Sequence, residues 1–142
     1  MDNIPNRFYR VSIKALILNQ TRDKFLLCKE SDGRFELPGG GLDWGEDPHD
    51  CLRRELVEEM GLRATHIAAH PAYFLTGNST NYPGVRIANI IYETELEHLD
   101  FTPSDECLEI RFVDTTDIKT LPTYDGPSKL AFLFNPHNHP VK

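Results

Sequence analysis

The stretch Leu37-Pro38-Gly39-Gly40-Gly41 constrains this chain more than any other. A proline and three glycines read as irregular structure, and glycine lets backbone amides and carbonyls approach a ligand closely. A helix must follow within a few residues. Leu52, Leu56 and Met60 recur four apart and share one face. Asp47 before Pro48 suits an N-cap with proline in the first turn, and Gly61 is a natural C-terminal stop.

Around this loop and helix the pattern is that of strands. Val11, Ile13, Ala15 and Ile17 alternate with Ser12 and Lys14, and Phe25 to Cys28 returns after the turn residues Asn19 to Asp23, which suggests a hairpin. Arg34 to Leu37 is short and extended. Further strand-like runs cover Thr65 to Leu75, Val85 to Leu96 and Leu108 to Val113, and a second helix is expected near Ser128 to Phe134. Strands mixed with two helices predict an α/β or α+β domain. With 142 residues and no repeat or linker, residues 1–142 read as a single domain with an irregular tail from about Asn135.

No run approaches the roughly 20 apolar residues of a membrane span, and no basic-then-apolar leader opens the chain. Cys28, Cys51 and Cys107 are widely spaced, without a CxxC pair, so a reducing, cytoplasmic setting is expected. The net charge of -7 argues against nucleic acid or an anionic membrane as a partner. That acidity is concentrated. Between Asp43 and Glu59 stand seven acidic residues against Arg53 and Arg54.

On a helix stepping about 100° per residue, Glu55, Glu58 and Glu59 fall within roughly 100° of one another. Clustered glutamates usually form a solvated face, but these lie beside the leucine stripe and just after the glycine run. Hard carboxylate oxygens in such a group favour Mg²⁺ or Mn²⁺. A metal relieves their repulsion and lets an anionic protein accept an anionic substrate, which points to chemistry at a phosphoanhydride.

From Gly40 the chain reads Gly-x5-Glu-x7-Arg-Glu-Leu-x-Glu-Glu-x-Gly-Leu, with Glu46, Arg54, Glu55, Leu56, Glu58, Glu59, Gly61 and Leu62 in register. This resembles the Nudix box, the defining motif of the Nudix hydrolases, at every fixed and aliphatic position. The resemblance implies a mixed β-sheet sandwiched between α-helices, and Mg²⁺- or Mn²⁺-dependent hydrolysis of a nucleoside diphosphate linked to another group. It implies metal ligation by Glu55, Glu58 and Glu59 with the Gly40 carbonyl, the carboxylates being oriented by Glu46 and Arg54. A glutamate would take the attacking water's proton. In some relatives that base lies in the box and in others in a late loop, where Glu106 and Glu109 are the candidates here. Many relatives pair as homodimers, though nothing in this sequence marks an interface.

Substrate contacts are weighed against packing. Trp44 reads as a substrate contact or a half-buried loop packer. Tyr73, Phe74 and Tyr82 suit stacking on a base, with core or loop packing the commoner role for any one of them. Lys29, Arg34 and Arg86 are phosphate candidates against a default of solvated surface bases. Cys51 reads as small buried packing. His137 and His139 have a metal-binding spacing without a third ligand, so a tail role is expected. No P-loop, dinucleotide fingerprint or nucleophile elbow is present.

Neither Pro71 nor Pro83 stands where ADP-ribose hydrolases of the family carry a proline, and Tyr82 is off the position typical of dinucleoside polyphosphate hydrolases. Elimination leaves a small nucleoside triphosphate-like substrate. The alternatives are an ADP-ribose, nucleotide-sugar or dinucleoside polyphosphate hydrolase, a non-catalytic nucleotide sensor, or an isomerase of allylic diphosphates on a related fold. An intact glutamate set counts against the sensor, and the isomerase wants a catalytic cysteine and more metal-binding histidines.

Overall fold

A computed structural model describes residues 7–141. Strand β1 (Tyr9–Leu16) runs through the middle of the larger sheet. Its apolar residues alternate as expected, and Ile13 and Ala15 are fully buried. On one edge it meets β4 (Gly39–Gly41) antiparallel, and on the other β7 (Arg86–Leu96) parallel. β5 (Ala64–Ile67) and β6 (Tyr73–Asn78) both pair antiparallel with β7. A second sheet holds β2 (Phe25–Lys29) between β3 (Phe35–Glu36) and β8 (Glu109–Val113), all antiparallel.

Helix α1 (Pro48–Met60) follows β4 and packs Leu52, Leu56 and Met60 onto Ile13, Ala15, Leu26 and Cys28. Helix α2 (Asp125–Leu133) contributes Leu130 and Ala131 to a second core with Leu16, Leu27, Leu75 and Ile91. The sheets therefore lie between the helices, a mixed α+β architecture. No helix among the described residues is long and apolar enough to cross a membrane.

Four expectations are corrected. The glycine run is regular: Gly39, Gly40 and Gly41 pair with Lys14, Ile13 and Ser12. Gly39 sits at φ 127°, and a side chain there would strike the Ile13 carbonyl and come within 2.8 Å of Lys14 Cα. Bare backbone is what lets this strand close on β1. Second, the hairpin stops at its turn. Asn19 N–H donates to the Lys24 carbonyl at 3.1 Å and Leu26 N–H to the Ile17 carbonyl at 2.9 Å, but the strands then part into different sheets. Both edges of β1 are already taken by β4 and β7.

Third, the run from Thr65 to Leu75 breaks around Pro71, which has no N–H for the ladder, and β6 continues to Asn78 instead. Ala68 and Ala72 keep the broken edge bonded to β7. Fourth, α2 begins at Asp125, ahead of the expected start near Ser128, because Gly126 and Pro127 lie in its first turn, where a proline is tolerated. The tail is also less idle than its composition suggests. Pro136–Asn138 make a short 3-10 turn, and His139 is buried between Glu93 (3.0 Å) and the Tyr73 hydroxyl (2.8 Å).

The helix boundaries match expectation. Asp47 accepts a hydrogen bond from His49 N–H at 2.9 Å, and Gly61 closes the helix at φ 66°. Asp47→Ala should lower unfolding stability by about 1 kcal/mol, read from urea denaturation. An unchanged midpoint would show that Pro48 alone sets the helix start.

Candidate active site

β4 delivers the chain directly into the loop Leu42 to Asp47 and then into α1, so one face of the helix looks back at the glycine strand. A methyl group at Gly40 would come within 2.6 Å of the Glu55 carboxyl carbon. Gly39 N–H donates to Glu59 Oε1 at 2.9 Å, pinning that carboxylate against β4. Glu106 arrives from the loop before β8, where Ser104 and Cys107 bridge and the Ser104 hydroxyl donates to the Glu59 carbonyl at 2.6 Å. Carboxylate oxygens of Glu55, Glu59 and Glu106 thereby lie within 4.8 Å of one another.

Glu59 is only 4% exposed. Burial pushes its carboxyl well above the ordinary range, with Glu106 and Glu55 adding repulsion against the pull of Lys14 and the Gly39 amide. Burial likewise raises Glu55. Three carboxylate oxygens drawn this close together are the donor set a hard divalent cation fits. Glu58 is exposed, lines the cleft beside the cluster, and is touched by Arg54 at 3.4 Å.

Arg54 ties the group together. Its Nε donates to Glu46 at 2.9 Å, Nη2 to Glu46 at 3.0 Å and to the Gly41 carbonyl at 3.3 Å, and Nη1 to Glu55 at 3.0 Å. The guanidinium hydrogen bond brings the Glu46 carboxyl down to about 2. Cys51 is buried as expected, its thiol facing the Gly40 and Gly41 carbonyls, and burial pushes it up to about 12, too high for a nucleophile at neutral pH.

A cleft of about 410 Å³ extends from the carboxylates over β1 and β7. Its far wall is the turn Asn78 to Tyr82 with the start of α2. Ser12, Lys14 and Asn89 face into it and are nearly buried. Lys14 Nζ donates to the Leu37 and Gly39 carbonyls, both at 3.3 Å. Burial opposes its charge, but Glu36, Glu59, Glu30 and Glu55 outweigh burial and hold its pKa above the usual value.

The other candidates are dispersed. Tyr82 lines the cleft, half open to solvent. Tyr73 points its hydroxyl to His139, away from the cleft. Trp44 is fully exposed, which excludes the half-buried loop packer among its two readings, and it does not line the cleft. Arg34 stacks on the Tyr124 ring at 4.1 Å and bonds Asp32, bracing the cleft wall rather than lining it. Lys29 and Glu109 pair at 4.0 Å outside the cleft, and Glu109 also binds Arg111. Arg86 bonds Asn78.

Ser12, Lys14, Arg10 and Asn89 were not singled out from the sequence. The signal was present in β1, where polar residues alternate with apolar ones. Such alternation ordinarily means a solvent face, and only the sheet order shows that this face floors a cleft.

A family model described as the NUDIX domain matches residues 8–134. The chain belongs to the Nudix family. It is 37% identical over 65 residues to an RNA pyrophosphohydrolase of Ruthia magnifica subsp. Calyptogena magnifica, an alignment taking in 46% of this chain and 36% of that relative. The chain thus spans about a third of the length of that curated relative. Among solved structures, a MutT protein from Methanosarcina mazei Go1 superposes with a TM-score of 0.72 at 24% identity, covering 92% of this chain and 95% of that one. An ADP-ribose pyrophosphatase from Streptococcus suis 89-1591 superposes with a TM-score of 0.60 at 27% identity, covering 89% of both chains.

Proposed function

We propose that this protein is a Mg²⁺- or Mn²⁺-dependent pyrophosphohydrolase of a nucleoside diphosphate linked to another group, with a nucleoside triphosphate-like substrate, working in the reducing cytoplasm. The observation that carries this reading is the convergence of Glu55, Glu59 and Glu106 at one end of a nucleotide-sized cleft. Bound there, a divalent ion polarises a phosphoryl oxygen and lowers the pKa of water.

The protein's own groups do the rest. Glu55 and Glu59 are held for ligation by Arg54 and by the Gly39 amide, and Glu106 closes the set from its loop. With Glu106 among the ligating carboxylates, Glu58, which lines the cleft from the same helix as Glu55 and Glu59, is the glutamate placed to accept the attacking water's proton. Attack at phosphorus by that oxygen breaks the phosphoanhydride and releases two phosphate-bearing products.

The test is product release from a panel of nucleoside triphosphates, oxidised purine triphosphates, ADP-ribose, dinucleoside polyphosphates, nucleotide sugars and a 5′-triphosphorylated RNA. Turnover of one class with Mg²⁺, abolished by chelator, is expected. Tight nucleotide binding without turnover of any class would instead identify a nucleotide sensor.

A further inference from the structure

We propose that Arg10 grips the phosphate group lying next to the carboxylate cluster, and that position 41 is glycine so that the Arg10 guanidinium can lie across β4. This rests on the reading of the cleft as a pyrophosphohydrolase site. In the register of β1 against β4, Ser12 lies opposite Gly41 and Lys14 opposite Gly39. Arg10, Ser12 and Lys14 therefore form one polar row on the cleft face. A methyl group at Gly41 would fall on the Arg10 guanidinium, 2.6 Å from Cζ and 2.9 Å from Nε. One residue earlier, a methyl at Gly40 would fall on the Glu55 carboxylate. The guanidinium and a ligating carboxylate thus press on consecutive residues of the same bare strand.

Charge gives Arg10 its role. Glu30, Glu36, Glu55, Glu58, Glu106 and Asp125 line the cleft, and among the described residues its lining cations are Arg10 and Lys14 alone. Lys14 is nearly buried and already bonded to two backbone carbonyls. Arg10 is exposed and enters none of the ion pairs found among the described residues. A phosphate chain entering so acidic a cleft needs a cation besides the metal. The planar fork of a guanidinium matches phosphate oxygens two at a time.

The test is calorimetric binding of inorganic pyrophosphate in the presence of Mn²⁺ by wild type, Arg10→Ala, Gly41→Ala and the double variant. Mn²⁺ binding alone, thermal melting and turnover on the nucleotide panel are measured beside it. Gly41 lies outside the left-handed region, and the atoms its added methyl first meets belong to the end of a flexible side chain, so the fold should tolerate alanine. Arg10→Ala should weaken pyrophosphate binding by about tenfold to a hundredfold, as expected for charge-assisted hydrogen bonds, with Mn²⁺ affinity and melting retained. Gly41→Ala should reproduce most of that loss by displacing the guanidinium, and the double variant should be no worse than Arg10→Ala. Wild-type binding by Arg10→Ala, or losses that simply add in the double variant, would overturn the proposal. If wild type binds Mn²⁺ but neither binds pyrophosphate nor turns over any nucleotide, the hydrolase reading fails and takes this one with it. Turnover matched by Arg10→Ala sinks the Arg10 role alone.

Discussion

Glu59→Gln should abolish all but a small fraction of turnover while leaving a folded protein whose melting temperature no longer responds to Mg²⁺. The buried carboxylate is one of three whose oxygens lie within 4.8 Å, and it is the one that water cannot screen. Loss of a ligand to the ion that stabilises transition-state charge removes several kcal/mol, or roughly a hundredfold to several thousandfold in rate. Glutamine keeps the shape and can still accept the Gly39 N–H. It also removes a carboxylate whose charged form burial and its acidic neighbours oppose. The metal-free variant should therefore melt no lower than metal-free wild type. Wild type, in contrast, should gain stability with Mg²⁺ by mass action. Paired melting curves with and without the ion separate this from a folding defect: a variant that still shifts with Mg²⁺ and still turns over would place the metal elsewhere.

The second large effect is expected at Arg54. Arg54→Ala cuts the connection between Glu46, Glu55 and the Gly41 carbonyl at once. Glu55 then faces Glu58 and Glu106 without its neighbouring cation. Residues that hold metal ligands in place typically carry a tenfold to hundredfold effect, about 10–100 in activity or metal affinity. The loss should appear in turnover and in the Mg²⁺ concentration needed for half-maximal rate. Arg54→Lys should recover little, because an ammonium cannot span Glu46 with two parallel bonds as the guanidinium does. Kinetics unchanged in Arg54→Ala would reduce this arginine to a surface base.

The family and the helix were legible in the sequence because the box is local. Asp47, Pro48 and Gly61 mark the ends of α1 by their own backbone chemistry, and the four-residue spacing of Leu52, Leu56 and Met60 sets which face is buried. Once that face is known, Glu55 and Glu59 must flank it, at the boundary where a carboxylate is half or wholly removed from water. The glycine run carries no strand signal of its own for an equally physical reason. Isolated, three glycines favour no ordered conformation; paired with Ser12, Ile13 and Lys14 they become the one kind of strand that can lie under Glu55 and Arg10.

What the sequence by itself determined is therefore helix α1, its caps, its carboxylate face and the family to which they belong. Tertiary structure alone decided which distant residues meet that face. Glu106 rather than Glu109 reaches the cluster, because the Ser104–Cys107 bridge and the Ser104 bond to α1 hold the loop against the helix while Glu109 lies on β8 beside Lys29 and Arg111. The separation of β1 and β2 into different sheets turns the polar side of β1 from an ordinary solvent face into the floor of a cleft. Periodicity reports which residues share a face, and only strand pairing across long sequence separations settles what that face meets.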